Sequence, residues 1–200
     1  MEATGWLFGA DPVVLVEDGQ GGIRYWPRCL ARAEEAGLFE QLRERVAWAS
    51  ERRPMYDRIV DVPRLQATLA LAEPSIPQGL PMAVAAVAAV AALAPAPYTH
   101  VGLSFYRDGR DGVAMHGDRT AHLADAMPIA ILSLGATRDM LVRGQSDGGR
   151  ALRIALEPGS LLVMSRAIQR THLHGIPKTS RNVGPRISCA FRAWKHERDS

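Results

Sequence analysis

PYTHVGLSFYRDGRDGVAMHGD, residues 97–118, is where the chain changes character. Val101–Arg107 is a run of β-favouring residues, Asp108-Gly109 is a turn pair, and Val113–Met115 resumes an extended run. The same grammar continues downstream through Ile129–Leu134, Asp139–Arg143, Ala151–Leu156, Ser160–Met164 and Arg186–Arg192. Turn signals at Asp147-Gly148-Gly149 and Pro158-Gly159 separate some of these runs. Short strands at this spacing predict a sandwich or barrel. Upstream, apolar residues recur at helical spacing over Arg28–Ser50, with Pro27 suited to a first helical turn. Arg52–Arg64 reads as irregular or as one short strand, and Pro74, Pro77 and Pro81 bracket a loop before an Ala/Val helix. The expectation is an α+β fold: a double-stranded β-helix (jelly roll) core over 98–195, with N-terminal helices packed on one sheet. Residues 1–200 would form a single domain, in which residues 1–97 are helical and loop-rich.

Bulk properties narrow the function. A chain of 200 residues can bury well over half of its unfolded surface without covalent staples. Cys29 and Cys189, the two cysteines, have no spacing that suggests a framework or clip, and Cys189 in its apolar run reads as a core residue. The N-terminus carries an early acid and no basic-then-apolar pattern, so no leader is expected and a cytoplasmic setting fits. Pro81–Ala96, the longest apolar run, falls short of the ~20 residues a membrane span needs. No dimer motif is visible, so a monomer is the default. Net charge is only +3, but arginines crowd the second half, from Arg138 to Arg198. Such a bias attracts phosphates or forms a solvated basic face.

Three elements of the β half belong to one chemistry. His116-Gly117-Asp118 places a histidine and a carboxylate two apart, hence on one face of an extended segment. His174 lies far along, in Thr171-His172-Leu173-His174-Gly175. Two histidines and one carboxylate on one face of an octahedral ion leave the other face open, the arrangement of non-haem Fe(II) oxygenases. An H-x-D pair alone is common by chance. Arg186 and Arg192 then share one face of the last strand, and the guanidinium fork suits a carboxylate. Taken singly, two strand arginines are more often surface charges. Mn or Ni in the same three ligands stays open, since ligand identity does not separate these ions.

The order of these motifs resembles the AlkB family of Fe(II)/2-oxoglutarate-dependent dioxygenases. The resemblance runs through Ser104–Asp118, Pro128–Asp139, Pro158–Ser165, His174-Gly-Ile-Pro177 and Pro185–Arg192, with a fainter likeness at Val62–Ala67. It implies Fe(II) on His116, Asp118 and His174, with 2-oxoglutarate and O2 as co-substrates. Tyr106 and Arg186 would hold the distal carboxylate, with Arg192 near the keto-acid end. The implied activity is oxidative demethylation of N-alkylated bases in single-stranded DNA or RNA, releasing aldehyde, succinate and CO2. His172 would be a supporting residue, and His100, His122 and His196 have no partner pattern.

Several positions depart from the family's pattern. Ser104 and Ser188 stand where many members carry Asn, so the co-substrate pocket would be lined differently. Thr120 replaces an acidic residue two after the metal Asp. The lid region after Pro63-Arg64 reads Leu65–Pro74 with no aromatic, leaving Met55, Tyr56, Arg64 and Trp6 as substrate contacts to test. These departures keep two alternatives open: an oxygenase acting on a protein side chain or small molecule, and a non-catalytic jelly-roll binding protein.

Overall fold

The computed structural model describes residues 11–55, 58–71, 81–146 and 149–195, with side chains outside 53–61 and 81. Twelve strands and three helices are present among them. Two antiparallel sheets form, one of eight strands and one of four. The eight consecutive strands β5 (His100–Tyr106), β6 (Val113–His116), β7 (Ile129–Gly135), β8 (Arg138–Gly144), β9 (Leu152–Leu156), β10 (Leu161–Met164), β11 (His172–Ile176) and β12 (Arg186–Arg192) divide between them. The large sheet holds β10-β7-β12-β5 side by side, and the small sheet is β6-β11-β8-β9. This interleaving is the jelly roll expected from the turn spacing.

The expected helices and loops of the first third are only half of what forms there. β1 (Val13–Val16), β2 (Ile23–Trp26), β3 (Ala49–Met55) and β4 (Arg58–Ala70) extend the large sheet at both edges. Arg52–Arg64, read as irregular or one short strand, belongs to the β3–β4 hairpin, which pairs through β4 with β5. Pro54 is tolerated because β3 is the edge strand, where a missing donor faces no neighbour. Helix α1 covers Arg32–Arg45 rather than Arg28–Ser50. Its start is delayed because the amides of Cys29 and Leu30 both donate to Gly159 O, at 2.7 and 3.2 Å. Glu34 then accepts the Ala31 amide at 3.0 Å, capping the first turn. The Ala/Val helix α2 spans Pro81–Leu93.

Two cores result. Leu38, Phe39 and Leu42 of α1 and Ala86, Ala89 and Val90 of α2 recur at helical spacing. They pack on Leu103, Leu132, Leu134, Ile187, Cys189 and Phe191 from one face of the large sheet. The opposite face contributes Ile129, Ile131, Leu162 and Met164 to a second core with Met140, Val142, Ile154 and Ile176 of the small sheet. The functional residues lie between the two sheets, at one end of this second core. Cys189 is buried on the helix side, and burial pushes its thiol up to about 12, as a core residue requires.

Candidate metal centre and co-substrate pocket

Register assembles the first three residues. β6 and β11 pair antiparallel with His116 directly opposite His174, so both imidazoles leave one face of the small sheet. Their ring centres lie 4.6 Å apart. Asp118 follows two residues on, and the ligand atoms of His116, Asp118 and His174 all fall within 4.8 Å of one another. Glycine is needed beside the ligands. A Cβ on Gly117 would stand 2.5 Å from Gln169 O, and one on Gly175 would stand 2.9 Å from Val113 O.

Each of the three has a distinct support. His116 Nδ1 lies 2.9 Å from Ala114 O; as a donor there, it leaves Nε2 with a free lone pair. Both Asp118 oxygens lie 3.2 Å from Arg192 Nη2, and the Asp118 amide donates to Gln169 Oε1 at 3.1 Å. His174 is buried and its Nδ1 has no hydrogen-bond partner. Burial lowers its pKa to about 4, against the opposing pull of Asp118, so the ring is neutral at pH 7. Two imidazoles and a carboxylate suit Fe(II), and the orphaned nitrogen marks a polar group with an unmet need.

The second cluster lies deeper. On β12 the residues alternate: Ile187, Cys189 and Phe191 enter the helix-side core, while Arg186, Ser188, Ala190 and Arg192 face the site. Opposite them on β5 stand Tyr106, Ser104, Gly102 and His100. Ser133 of β7 flanks Ser188 on the other side. Arg186 is 1% exposed. Its Nη2 donates to Ser133 Oγ at 2.9 Å and its guanidinium lies 5.1 Å from the Tyr106 ring centre. Nε and Nη1 have no partner. Burial pushes its pKa down, and neighbouring Arg138 adds to that push. A guanidinium stays protonated even so, and an unpaired buried cation is costly. A buried guanidinium with two unpartnered N–H donors suits an anionic partner such as a carboxylate.

The remaining expected residues separate. Arg64 precedes Leu65, which pairs with Phe105, and its buried Nε lacks a partner, as does Oε1 of Gln66 beside Ser104. The wall next to the pocket is therefore polar. Thr120 is half-buried in the turn after Asp118, where its carbonyl accepts Arg166 Nη2 at 3.3 Å. His172 stands outside the three-residue cluster, beside Thr171 Oγ1. The side chain of Met55 and all of Tyr56, Trp6 and His196 lie outside the described residues. The late arginines divide: Arg143, Arg150, Arg170 and Arg181 are exposed, as a solvated basic face predicts, and the other described ones are not free surface charges. Arg138 and Arg186 are buried, and Arg153, Arg166 and Arg192 pair with Asp139, Asp125 and Asp118.

Sequence reading missed Arg138, Ser133 and Gln169. Arg138 donates to three carbonyls, those of Asp108, Asp111 and Pro177, at 2.7–3.0 Å. It thereby ties the β5–β6 loop to the end of β11. Its signal was its place in a strand otherwise free of charge on that face, since a buried arginine needs several acceptors.

The sequence matches the family described as the 2OG-Fe(II) oxygenase superfamily over residues 22–198. The chain belongs to that superfamily. Human "DNA oxidative demethylase ALKBH2" is 31% identical over 102 residues, covering 48% of this chain and 39% of the relative. Mouse "Alpha-ketoglutarate-dependent dioxygenase alkB homolog 3" is 27% identical over 201 residues, covering 92% of this chain and 70% of the relative. The chain thus spans well under half of the ALKBH2 relative's length. Among solved structures, OsALKBH1 superposes with a TM-score of 0.61 at 16% identity, covering 86% of this chain and 97% of that one. A 2OG-Fe(II) oxygenase family oxidoreductase from Burkholderia pseudomallei gives 0.58 at 14% identity, covering 86% and 85%. These two likenesses establish the jelly-roll fold. Among the described residues no helix is long and apolar enough to cross a membrane.

Proposed function

We propose that this protein is an Fe(II)/2-oxoglutarate-dependent dioxygenase that removes N-alkyl groups from bases in DNA or RNA. The observation that carries the reading is Arg186: a fully buried cation with two unpartnered donors, on the same face of β12 as Arg192, which contacts Asp118 of the His116, Asp118 and His174 cluster. Fe(II) held by these three residues, with 2-oxoglutarate and O2, would hydroxylate the N-alkyl carbon, yielding an aldehyde, succinate and CO2.

The chain's own residues do the rest. Arg186, with Ser133 and Tyr106 around it, binds the far carboxylate of the co-substrate and fixes its depth. Ser104 and Ser188, shorter than the Asn of many relatives, line the pocket beside it. Arg192 orients Asp118 by touching both carboxylate oxygens, and Gln169 holds the same residue through its amide. His116 keeps Nε2 toward the ion by donating Nδ1–H to Ala114 O. The two sheets shield Arg186 and His174, while His116 stays 40% exposed. Similarity to ALKBH2 and alkB homolog 3 supports a nucleic-acid substrate, and flipped or single-stranded bases suit such chemistry. A soluble cytoplasmic monomer belongs to the same proposal. A second reading, a protein or small-molecule substrate, is favoured by the polar wall of Arg64 and Gln66 where an aromatic lid would stack on a base.

The test is an aerobic reaction with Fe(II), 2-oxoglutarate and ascorbate on single-stranded DNA carrying 1-methyladenine or 3-methylcytosine. Mass spectrometry would follow methyl loss, with His116→Ala as the control. Demethylation by the wild type alone supports both ligand set and substrate. Succinate formation that depends on His116 without demethylation would leave the oxygenase and discard the nucleic acid.

A further inference from the structure

We propose that the stacked pair Trp194–His100 is a shelf for the nucleobase next to the one presented to the metal ligands. The proposal rests on the nucleic-acid reading above.

The geometry begins at Asp118. Its carboxylate touches Arg192, the last residue of β12, and Arg192 lies directly opposite His100 on β5. The imidazole of His100 stacks on the indole of Trp194, with ring centres 3.7 Å apart and planes 21° from parallel. Asp118, Arg192, His100 and Trp194 therefore form a row leading from the metal ligands to the rim of the large sheet.

Trp194 is 39% exposed, and it is the one aromatic among the exposed large hydrophobic side chains of the described residues. It belongs to neither hydrophobic core. Its backbone is nevertheless fastened on both sides. The Trp194 amide donates to Thr99 Oγ1 at 2.9 Å, the Ala124 amide to Ala193 O at 2.8 Å, and the Lys195 amide to His122 O at 2.9 Å. Trp194 also bridges to Leu123, in the segment that follows Asp118 and Thr120. An indole presented on such a fixed backbone, with one face covered by imidazole, keeps its other face for a flat partner.

The surroundings select the partner. Arg166 and Lys195 share the single carboxylate of Asp125, at 2.5 and 3.9 Å, and exposed Arg119 lies beside Asp118 in the chain. Cationic side chains therefore accompany the segments that flank the partly exposed indole. Single-strand binders combine these two features, stacking bases on aromatics while basic side chains follow the phosphates. The target base must put its alkyl carbon at the ligand cluster. Two side chains, Arg192 and His100, separate that point from Trp194, so the indole meets a neighbouring nucleotide. The aromatic contact absent from Leu65–Pro74 is thereby supplied from the opposite end of the chain.

The experiment compares wild type, W194A, W194L and W194F, each loaded with Fe(II) and a non-reactive 2-oxoglutarate analogue. A labelled single-stranded oligodeoxynucleotide carrying one 1-methyladenine is titrated by fluorescence anisotropy. We expect about tenfold weaker binding for W194A and W194L, with W194F near wild type, because Leu restores apolar bulk and only Phe restores a π-face. In turnover the same variants should raise KM while kcat stays within a factor of about two. Equal affinity across the four proteins overturns the shelf and leaves the dealkylase reading standing. If W194L binds like W194F, the side chain serves packing alone and the shelf is likewise overturned. A wild type that neither binds the strand nor demethylates it overturns both readings.

Discussion

The two faces of β12 differ in whether their atoms are satisfied. Toward the helices, Ile187, Cys189 and Phe191 are buried among apolar neighbours from α1, α2 and β5. Toward the small sheet, Arg186 is just as buried, yet two of its donors have no partner. One strand thus carries a face whose burial drives folding and a face whose burial opposes it. The contrast supports the proposed reading, in which the second face meets a ligand. Folding alone would favour an apolar residue where Arg186 stands.

Substitutions on the two faces should therefore diverge. Phe191→Ala is expected to cost about 3–5 kcal/mol of stability in chemical denaturation, the usual loss for a large core aromatic. Arg186→Met should leave stability unchanged or raise it by roughly 1–4 kcal/mol, while lowering 2-oxoglutarate turnover at least about a hundredfold. If Arg186→Met destabilises like Phe191→Ala, the two faces are equivalent and the comparison breaks. A non-reactive dicarboxylate at about 100 times its Kd should stabilise the wild type by about 2.7 kcal/mol, read as a rise in Tm, and should do nothing for Arg186→Met. A further effect is one of pH, shallow at any single step. His174 has a folded-state pKa near 4, below the 6.5 of an unfolded histidine. Below pH 6.5 the unfolded chain binds the proton first, so metal-free protein should lose stability toward pH 4 by at most about 1.4 kcal/mol per pH unit. His174→Asn should flatten that slope.

The same contrast accounts for what could be read from sequence. The alternation Arg186-Ile-Ser-Cys-Ala-Phe-Arg192 announces a two-faced strand because a period of two is local information. His116-Gly117-Asp118 is local in the same sense, and the motif order added His174. β3 and β4 were missed because an edge hairpin need not alternate apolar residues, and Pro54 and Pro63 argued against strands. Arg138 and Gln169 were missed for a different reason. Their partners are backbone groups 27 to 51 residues away, and such contacts leave no pattern in composition or spacing.

Burial also grades along the site. The side chains of His116 and Asp118 are 40% and 15% exposed, His174 is 5% and Arg186 1%. A dicarboxylate seated on Arg186 must therefore travel past the metal ligands before a bulky substrate covers them. On the proposed reading, the co-substrate should bind first. A strand that arrives early blocks the entrance, so excess oligonucleotide should inhibit, and raising 2-oxoglutarate should relieve the inhibition.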